Sequence, residues 1–361
     1  MVRSLPARFR WLSVVLLSFA LTAVGIRTYL QSPTTEGIGS GTGLSTIVYI
    51  KPKTSVQEIA QTLQQAGVIQ SRWAFLALAY VQGSLTRLHA GEYEFPAGTS
   101  LFEILRKLES GKVVTHQVTI PEGFTAQDIA RLLAGERLVE VDRFMALVKD
   151  QKFAEAVAVP GDTLEGYLFP DTYRLTRGMT EEEILRIMVT RFRQAVPEDI
   201  EQRAEGLGLD AHSVVTLASL IEKEARLDAE RPLVAAVFYN RLRRNMPLQS
   251  DPTAVYGAVD PPHRITPLDL RRQSPYNTYL IAGLPPGPIA NPGTASIMAA
   301  LHPARVDFLY FVAKNDGSHF FSRTLEDHTQ AVRKYQARNN GSVESGARAG
   351  TKAGDSVRVA R

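Results

Sequence analysis

One short pattern recurs four times along this chain and fixes where helices begin. A Ser or Thr is followed three residues later by Glu or Asp, then by Ile, with an apolar residue four positions further on. It reads Ser55-Glu58-Ile59-Leu63, Ser100-Glu103-Ile104-Leu108, Thr125-Asp128-Ile129-Leu133 and Thr180-Glu183-Ile184-Met188. The hydroxyl can accept from a free N–H of the first turn, while the acid reaches back or sits at the positive end of the helix dipole. Glu fits this box strictly, and Asp128 is a weaker version. The Ile and the residue four later then share one buried face. Gly or Pro precedes three of the four, and the intervals of 45, 25 and 55 residues are uneven. Stacked repeats need a fixed period, so these are strand–turn–helix units of an α+β chain and not a solenoid.

The first two units bracket residues 45–117. A β-like run, Ile47 to Ile50, precedes helix 55–66. Helix 71–82, a turn at Ala90-Gly91-Glu92-Tyr93, helix 100–109 and a second β-like run from Val113 to Ile120 follow. This is a small α/β subdomain. A binding module and a spacer both fit it, and composition alone favours the spacer.

The third unit opens a larger mixed α+β region, 118–336. Its first distinctive stretch is Leu164 to Tyr173, LEGYLFPDTY, where aromatics stand beside Glu165 and Asp171. Such a mixture suits carbohydrate, whose rings have apolar faces and polar edges, but taken alone the stretch is better read as a hairpin with a core aromatic cluster. Ser213 to Arg226, SVVTLASLIEKEAR, is the clearest helix. At 100° per residue, Val214, Ala218, Ile221 and Ala225 share a face, with Glu222 at one margin and Glu224 at the other. A carboxyl held against apolar side chains has its ionised form disfavoured and can serve as a proton donor near neutral pH. Either glutamate qualifies, and periodicity does not choose. Spacing alone favours two boundary residues, with Glu222 paired to Arg226.

Downstream, LQSDPT (248–253), Val255-Tyr256-Gly257, YNTY (276–279) and GLPPGPIANPG (283–293) form a polar, aromatic run without helical period. Seven of the last eleven residues are Gly or Pro, so the backbone path is restricted. Rigid loops carrying amides and hydroxyls are how a scaffold builds a polar cleft.

Charge locates the compartment. The chain of 361 residues has a net charge of +4. Residues 1–27 carry four arginines and no acid, and residues 337–361 carry a net +3, which leaves −3 on the body. A nucleic-acid footprint is therefore not supported. The sixteen residues from Trp11 to Ile26 are uncharged and as a helix would span about 24 Å. With Arg10 and Arg27 snorkelling and Trp11 and Tyr29 at the interfaces, residues 11–30 read as a single transmembrane anchor, favoured over a cleaved signal. The arginines keep residues 1–10 cytoplasmic and export the body. Residues 31–44 are a Gly/Ser/Thr linker, and 337–361 is a basic tail too poor in apolar residues to fold.

With 44% hydrophobic residues the chain is not disordered overall, and with no cysteine it holds no disulfide, thiolate nucleophile or iron–sulfur cluster. Its seven histidines form no HExxH, and neither GxSxG nor GxxxxGK[ST] occurs, so no metal or cofactor is expected. His319 sits in a turn before a β-like run and reads as structural or substrate-lining.

LEGYLFPDTY, LASLIEKEA (217–225), LQSDPT, YNTY, GLPPGPIANPG and HPARVDFLYFVAKNDGSHFFSRTLEDH (302–328) together resemble the YceG-like family of endolytic murein transglycosylases, in order and over about 30–336. The resemblance implies an enzyme of the cytoplasmic (inner) membrane, with a LysM-like subdomain at 45–117 and the catalytic domain at 118–336 on the envelope side. Its substrate would be peptidoglycan strands, with peptidoglycan synthases as candidate partners. The family's catalytic acid, taken as the first Glu of its Glu-Lys-Glu segment, carries over to Glu222. The chain departs from the family pattern at Thr329, where Asn is expected after the final His.

The implied chemistry needs one acid. Glu222 would protonate the oxygen between N-acetylmuramic acid and N-acetylglucosamine, then take the proton of the muramic C6 hydroxyl as it attacks C1, leaving a 1,6-anhydro end. Gln249, Asp251, Tyr256, Tyr276 and Asn277 are the expected substrate-positioning residues, with Glu165 and Asp171 as supports. Two alternatives remain at this level: a hydrolase pairing Glu222 with Asp251 or Glu165, and a scaffold that binds glycan without cutting it.

Overall fold

The computed structural model describes Gly25, Thr28 and residues 45–258 and 265–335. Of the expected anchor only Gly25 and Thr28 are described, and the linker and tail lie outside the described residues. Among the described residues no helix is long and apolar enough to cross a membrane. The chain is α+β and divides into two units, one running to Gln117 and including Arg174–Met179, the other comprising Val118–Tyr173 and the chain from Thr180.

In the first unit, β1 (Thr46–Ile50) pairs antiparallel with β2 (Gly91–Phe95), Val48 opposite Tyr93 and Ile50 opposite Gly91. Three helices complete it: α1 (Val56–Gln65), α2 (Arg72–Val81) and α3 (Leu101–Ser110). Ile59, Leu63, Phe75, Ile104, Leu105 and Leu108 join Val48, Tyr93 and Phe95 in one core. The expected turn at 90–93 is instead the start of β2. Tyr93 and Phe95 reach the core from one face of this strand, and Gly91 permits its entry, because a Cβ there would meet Val113 and φ is +139°. Glu92, 2% exposed, is ion-paired to Arg177 and hydrogen-bonded to His116, which ties 174–179 to this unit.

All four sequence boxes form. Ser55, Ser100, Thr125 and Thr180 each accept from the N–H three residues on, and each acid accepts from the cap's own N–H. Asp128 closes its box fully, with Thr125 N–H donating to it at 3.1 Å. These boxes start α1, α3, α4 (Ala126–Gly135) and α7 (Glu181–Ala195).

The second unit adds α5 (Val141–Val148) and α6 (Gln151–Ala156) before the turn through 164–171. Strand β3 (His116–Thr119) pairs with β4 (Thr172–Leu175), and each of these strands has two residues in either unit. After α7 come α8 (Ile200–Gly206), α9 (Ala211–Glu224), α10 (Arg231–Arg243), the short α11 (Asp251–Val255) and α12 (Thr294–Leu301). The hairpin of β5 (Tyr310–Ala313) and β6 (His319–Ser322) follows, with Ala313 opposite His319.

Helix α9 is the axis of this unit. It is capped by Asp210, whose carboxylate accepts from Ser213 N–H at 2.7 Å, and it packs on α8, α10, α11 and α12. Every residue from Val214 to Ile221 is buried, so the helix is enclosed on all sides rather than along one stripe.

Asn291 joins the loops above it. Its Oδ1 accepts from the N–H groups of Gly166 and Leu168, both at 2.9 Å, while its Nδ2 donates to Phe124 O and Glu165. The close approach of these loops requires Gly166, at φ +88°, where a Cβ would meet Pro288. The Gly/Pro-rich run thus serves as a clamp on the 164–170 turn.

Candidate active site

The two acids at the end of α9 have different surroundings. Glu222 turns toward the start of α10 and α12. Its Oε1 accepts from Arg231 Nη1 at 3.1 Å and its Oε2 from Gly293 N–H at 3.0 Å. Both side chains of the ion pair are only 7% exposed. Arg231 also donates to Asp228, at 3.0 Å, and to Ser296. Both Glu222 oxygens are therefore committed as acceptors, to groups that cannot accept a proton in return. The i,i+4 pairing with Arg226 does not form; Arg231, nine residues on, takes its place.

Glu224 opens onto a cavity of about 290 Å³, lined also by Gln249, Asp251, Tyr279, His319 and His328. A second depression of about 520 Å³ shares Glu224, Ala313 and His319 with it and adds Lys223, Arg226 and Asn315. The Glu224 carboxyl accepts from Ser250 Oγ at 2.6 Å. Protein packed around it strips its water and pushes its pKa up to about 7, helped by the Asp251 charge and opposed by the Ser250 hydrogen bond.

Two sequence motifs meet to build this wall. Gln249 N–H donates to Thr278 O at 3.1 Å, and Ser250 N–H to Thr278 Oγ1 at 3.0 Å. Arg241, on the inner face of α10, donates to the carbonyls of Leu309, Pro247 and Leu248 and to Gln249 Oε1, between 2.7 and 3.1 Å. It thereby holds Gln249 in an αL conformation, φ +50°. Tyr279 donates to Asp251, and Asp251 is the first residue of α11, a helix in a stretch expected to lack helical period.

Of the expected positioning residues, Gln249 and Asp251 are brought to the Glu224 cavity. Tyr256 and Tyr276 form a separate cluster, with ring centroids 4.6 Å apart and Tyr256 donating to Glu165 at 3.0 Å. Glu165 is buried in that cluster, where it also accepts from Ala126 N–H at 3.0 Å and from Asn291. Desolvation raises its pKa to about 7. Asn277 is fully buried. Its amide donates to the carbonyls of Leu270 and Arg272 and accepts from Tyr279 N–H, so it shapes the loop and offers nothing to a ligand. Asp171 lies in another depression, ion-paired to Arg191, which lowers its pKa first through that hydrogen bond. The sequence reading singled out neither Ser250, Tyr279 nor Arg241. Ser250 and Tyr279 stand inside quoted motifs, and Arg241 carries no local signal. Among the described residues no group of three or more His, Asp or Glu converges to hold a metal ion.

A family model described as the YceG-like family matches residues 48–334. An endolytic murein transglycosylase of Bacillus subtilis (strain 168) is 38% identical over 309 residues, covering 81% of this chain and 85% of that protein. One from Streptococcus pneumoniae (serotype 2, strain D39) is 31% identical over 320 residues, covering 80% of this chain, which spans only 58% of that relative's length. A crystal structure of a YceG-like protein from Listeria monocytogenes, 33% identical, is matched with a TM-score of 0.56 over 80% of this chain and 100% of that one. By the extent of these matches, the chain belongs to the YceG-like family.

Proposed function

We propose that the chain is an endolytic lytic transglycosylase that cuts the bond between N-acetylmuramic acid and N-acetylglucosamine in peptidoglycan, with Glu224 rather than Glu222 as its acid. The activity follows the names of the relatives. The choice of acid rests on one contrast: Glu224 faces a polar cavity with a pKa pushed up to about 7, whereas both Glu222 oxygens are taken by Arg231 and Gly293. A group with that value is half protonated near neutral pH and can both give and regain a proton. Glu222, held by Arg231 and Gly293, is a structural ion pair in this reading. This reading departs from the transfer of the acid to Glu222 that the resemblance implied.

In the reaction Glu224 gives its proton to the leaving glycosidic oxygen as the muramic C6 hydroxyl attacks C1. The proton that the hydroxyl loses restores Glu224 by the end of the cycle. No water is consumed, and the intramolecular nucleophile supplies a high effective concentration. Gln249 and Asp251 line the same cavity and are the positioning residues of this reading. Tyr256, Tyr276, Asn277 and Glu165 support the loops around it.

The Asp251 carboxylate beside Glu224 also favours a second reading, a hydrolase in which Asp251 activates water. Digesting glycan strands with the purified chain and weighing the products separates the two. The transglycosylase gives 1,6-anhydro ends, one water lighter than the ends a hydrolase leaves, and a chain that only binds glycan gives neither.

The organisation completes the proposal. Residues 11–30 anchor the chain in the cytoplasmic membrane, 45–117 form a LysM-like subdomain, and 118–336 act on the strand outside, where peptidoglycan synthases are candidate partners. Protease accessibility of the body in spheroplasts, with the N-terminus protected, tests this orientation.

A further inference from the structure

We propose that His319 is a second catalytic residue of this site, accepting the proton of the substrate hydroxyl, and that Glu230 is the residue that positions it. The inference rests on the reading of Glu224 as the acid. His319 opens β6 and lines both depressions that Glu224 lines. Its Nδ1 lies 2.7 Å from Glu230 Oε2, and its backbone N–H donates to both Glu230 oxygens at 2.9 and 3.1 Å. A carboxylate only accepts, so Nδ1 donates the ring proton to Glu230, and in the neutral imidazole Nε2 is the nitrogen that accepts. The ring plane is held by edge contacts with Phe311 and Phe321, centroids 5.4 and 6.3 Å away. His319 and Glu230 are 10% and 12% exposed. This is a buried carboxylate–imidazole pair whose imidazole forms part of the cavity wall, an expensive arrangement for a residue that only fills space.

The placement of Glu230 strengthens the case. It ends the 3-10 turn Asp228–Glu230, immediately before Arg231. Adjacent residues thus make both contacts near the end of α9: Arg231 holds Glu222 of α9 itself, and Glu230 holds His319 of β6.

The step balances without any other reactant. As the C6 oxygen bonds to C1, its proton passes to His319 Nε2. The bond from C1 to the leaving oxygen breaks, and that oxygen takes the Glu224 proton. The imidazolium then returns its proton to the Glu224 carboxylate, and both groups recover their starting forms.

The test compares His319→Ala, His319→Gln, Glu230→Gln and Glu224→Gln on glycan strands, with product masses, kcat and KM read for each and folding followed by circular dichroism. His319→Ala is expected to lose about 100-fold in kcat with KM within about two-fold, the range for a general base. Its share of 1,6-anhydro ends should fall in favour of hydrolysed ends, and added imidazole should restore kcat several-fold. Glu230→Gln, which keeps size and fold, should move kcat and the anhydro share in the same direction by less. A purely structural histidine would change stability without moving the product ratio or responding to imidazole. If His319→Ala does not fold, His319→Gln and Glu230→Gln carry the same readings. Wild-type kcat and wholly anhydro products in these variants, beside an inactive Glu224→Gln, would overturn this proposal alone. An active, folded Glu224→Gln would overturn the acid assignment instead.

Discussion

Glu222 and Glu224 are two residues apart on one helix and point about 200° apart around it. What reaches each of them differs more than their spacing suggests. Around Glu222 the protein supplies a guanidinium and a backbone N–H, both donors, beside the Glu122 carboxyl, and the ion pair is closed from solvent. Around Glu224 it supplies one hydroxyl, a neighbouring carboxylate and open volume. The first arrangement uses a carboxylate to fasten α9 to α10 and the loop before α12. The second keeps a carboxyl short of partners, which destabilises its ionised form and leaves it free to exchange a proton. In the proposed reading, their neighbours divide two acids that are equivalent in sequence into a structural and a chemical role.

The largest expected effect that probes this contrast is at Arg231. Arg231→Met leaves Glu222 buried without its cation and should cost about 3–5 kcal/mol of stability, the range for breaking a buried pair from one side. Denaturant unfolding reads it, and a loss below about 1 kcal/mol would show that the pair holds little.

Glu224→Gln should act in the opposite sense. The folded chain binds the Glu224 proton more tightly than the unfolded chain, whose carboxyl titrates near 4.5. The parent therefore loses stability as pH rises from about 4.5 to about 7, whereas Gln does not titrate. The variant's advantage should be small at pH 4 and reach as much as about 3 kcal/mol above pH 7, at about 1.4 kcal/mol per pKa unit. Melting curves at pH 4.5 and 8 check the sign, and an equal difference at both values would contradict it.

Smaller still is Ser250→Ala. Removing the hydroxyl that donates to Glu224 costs about 1 kcal/mol. It also removes a contact that lowers the carboxyl's pKa, so the alkaline limb of activity, where the acid form is lost above about pH 7, should move upward.

Local signals were legible in the sequence. Each of the four capping boxes concerns residues three apart, and all four form. The start of α11 was also written locally, with Pro252 in its first turn, but the polar run around it hid the signal. The proposed choice of acid was not legible from periodicity. A wheel assumes one buried stripe, and α9 is buried all round, so both margins looked alike. The deciding partners, Arg231 and Gly293 for one and Ser250 for the other, come from other elements. Asn277 shows the same limit. Its place in a polar motif suggested a ligand contact, yet its amide is consumed by Leu270, Arg272 and Tyr279.

The most direct measurement sets Glu222→Gln beside Glu224→Gln on the same glycan strands, with 1,6-anhydro ends counted by mass. Glu224→Gln should lose activity by about 1000-fold or more while folding and binding persist, within the reach of losing a general acid. Glu222→Gln should keep substantial turnover whenever it folds. An active Glu224→Gln together with a folded, inactive Glu222→Gln would contradict the account.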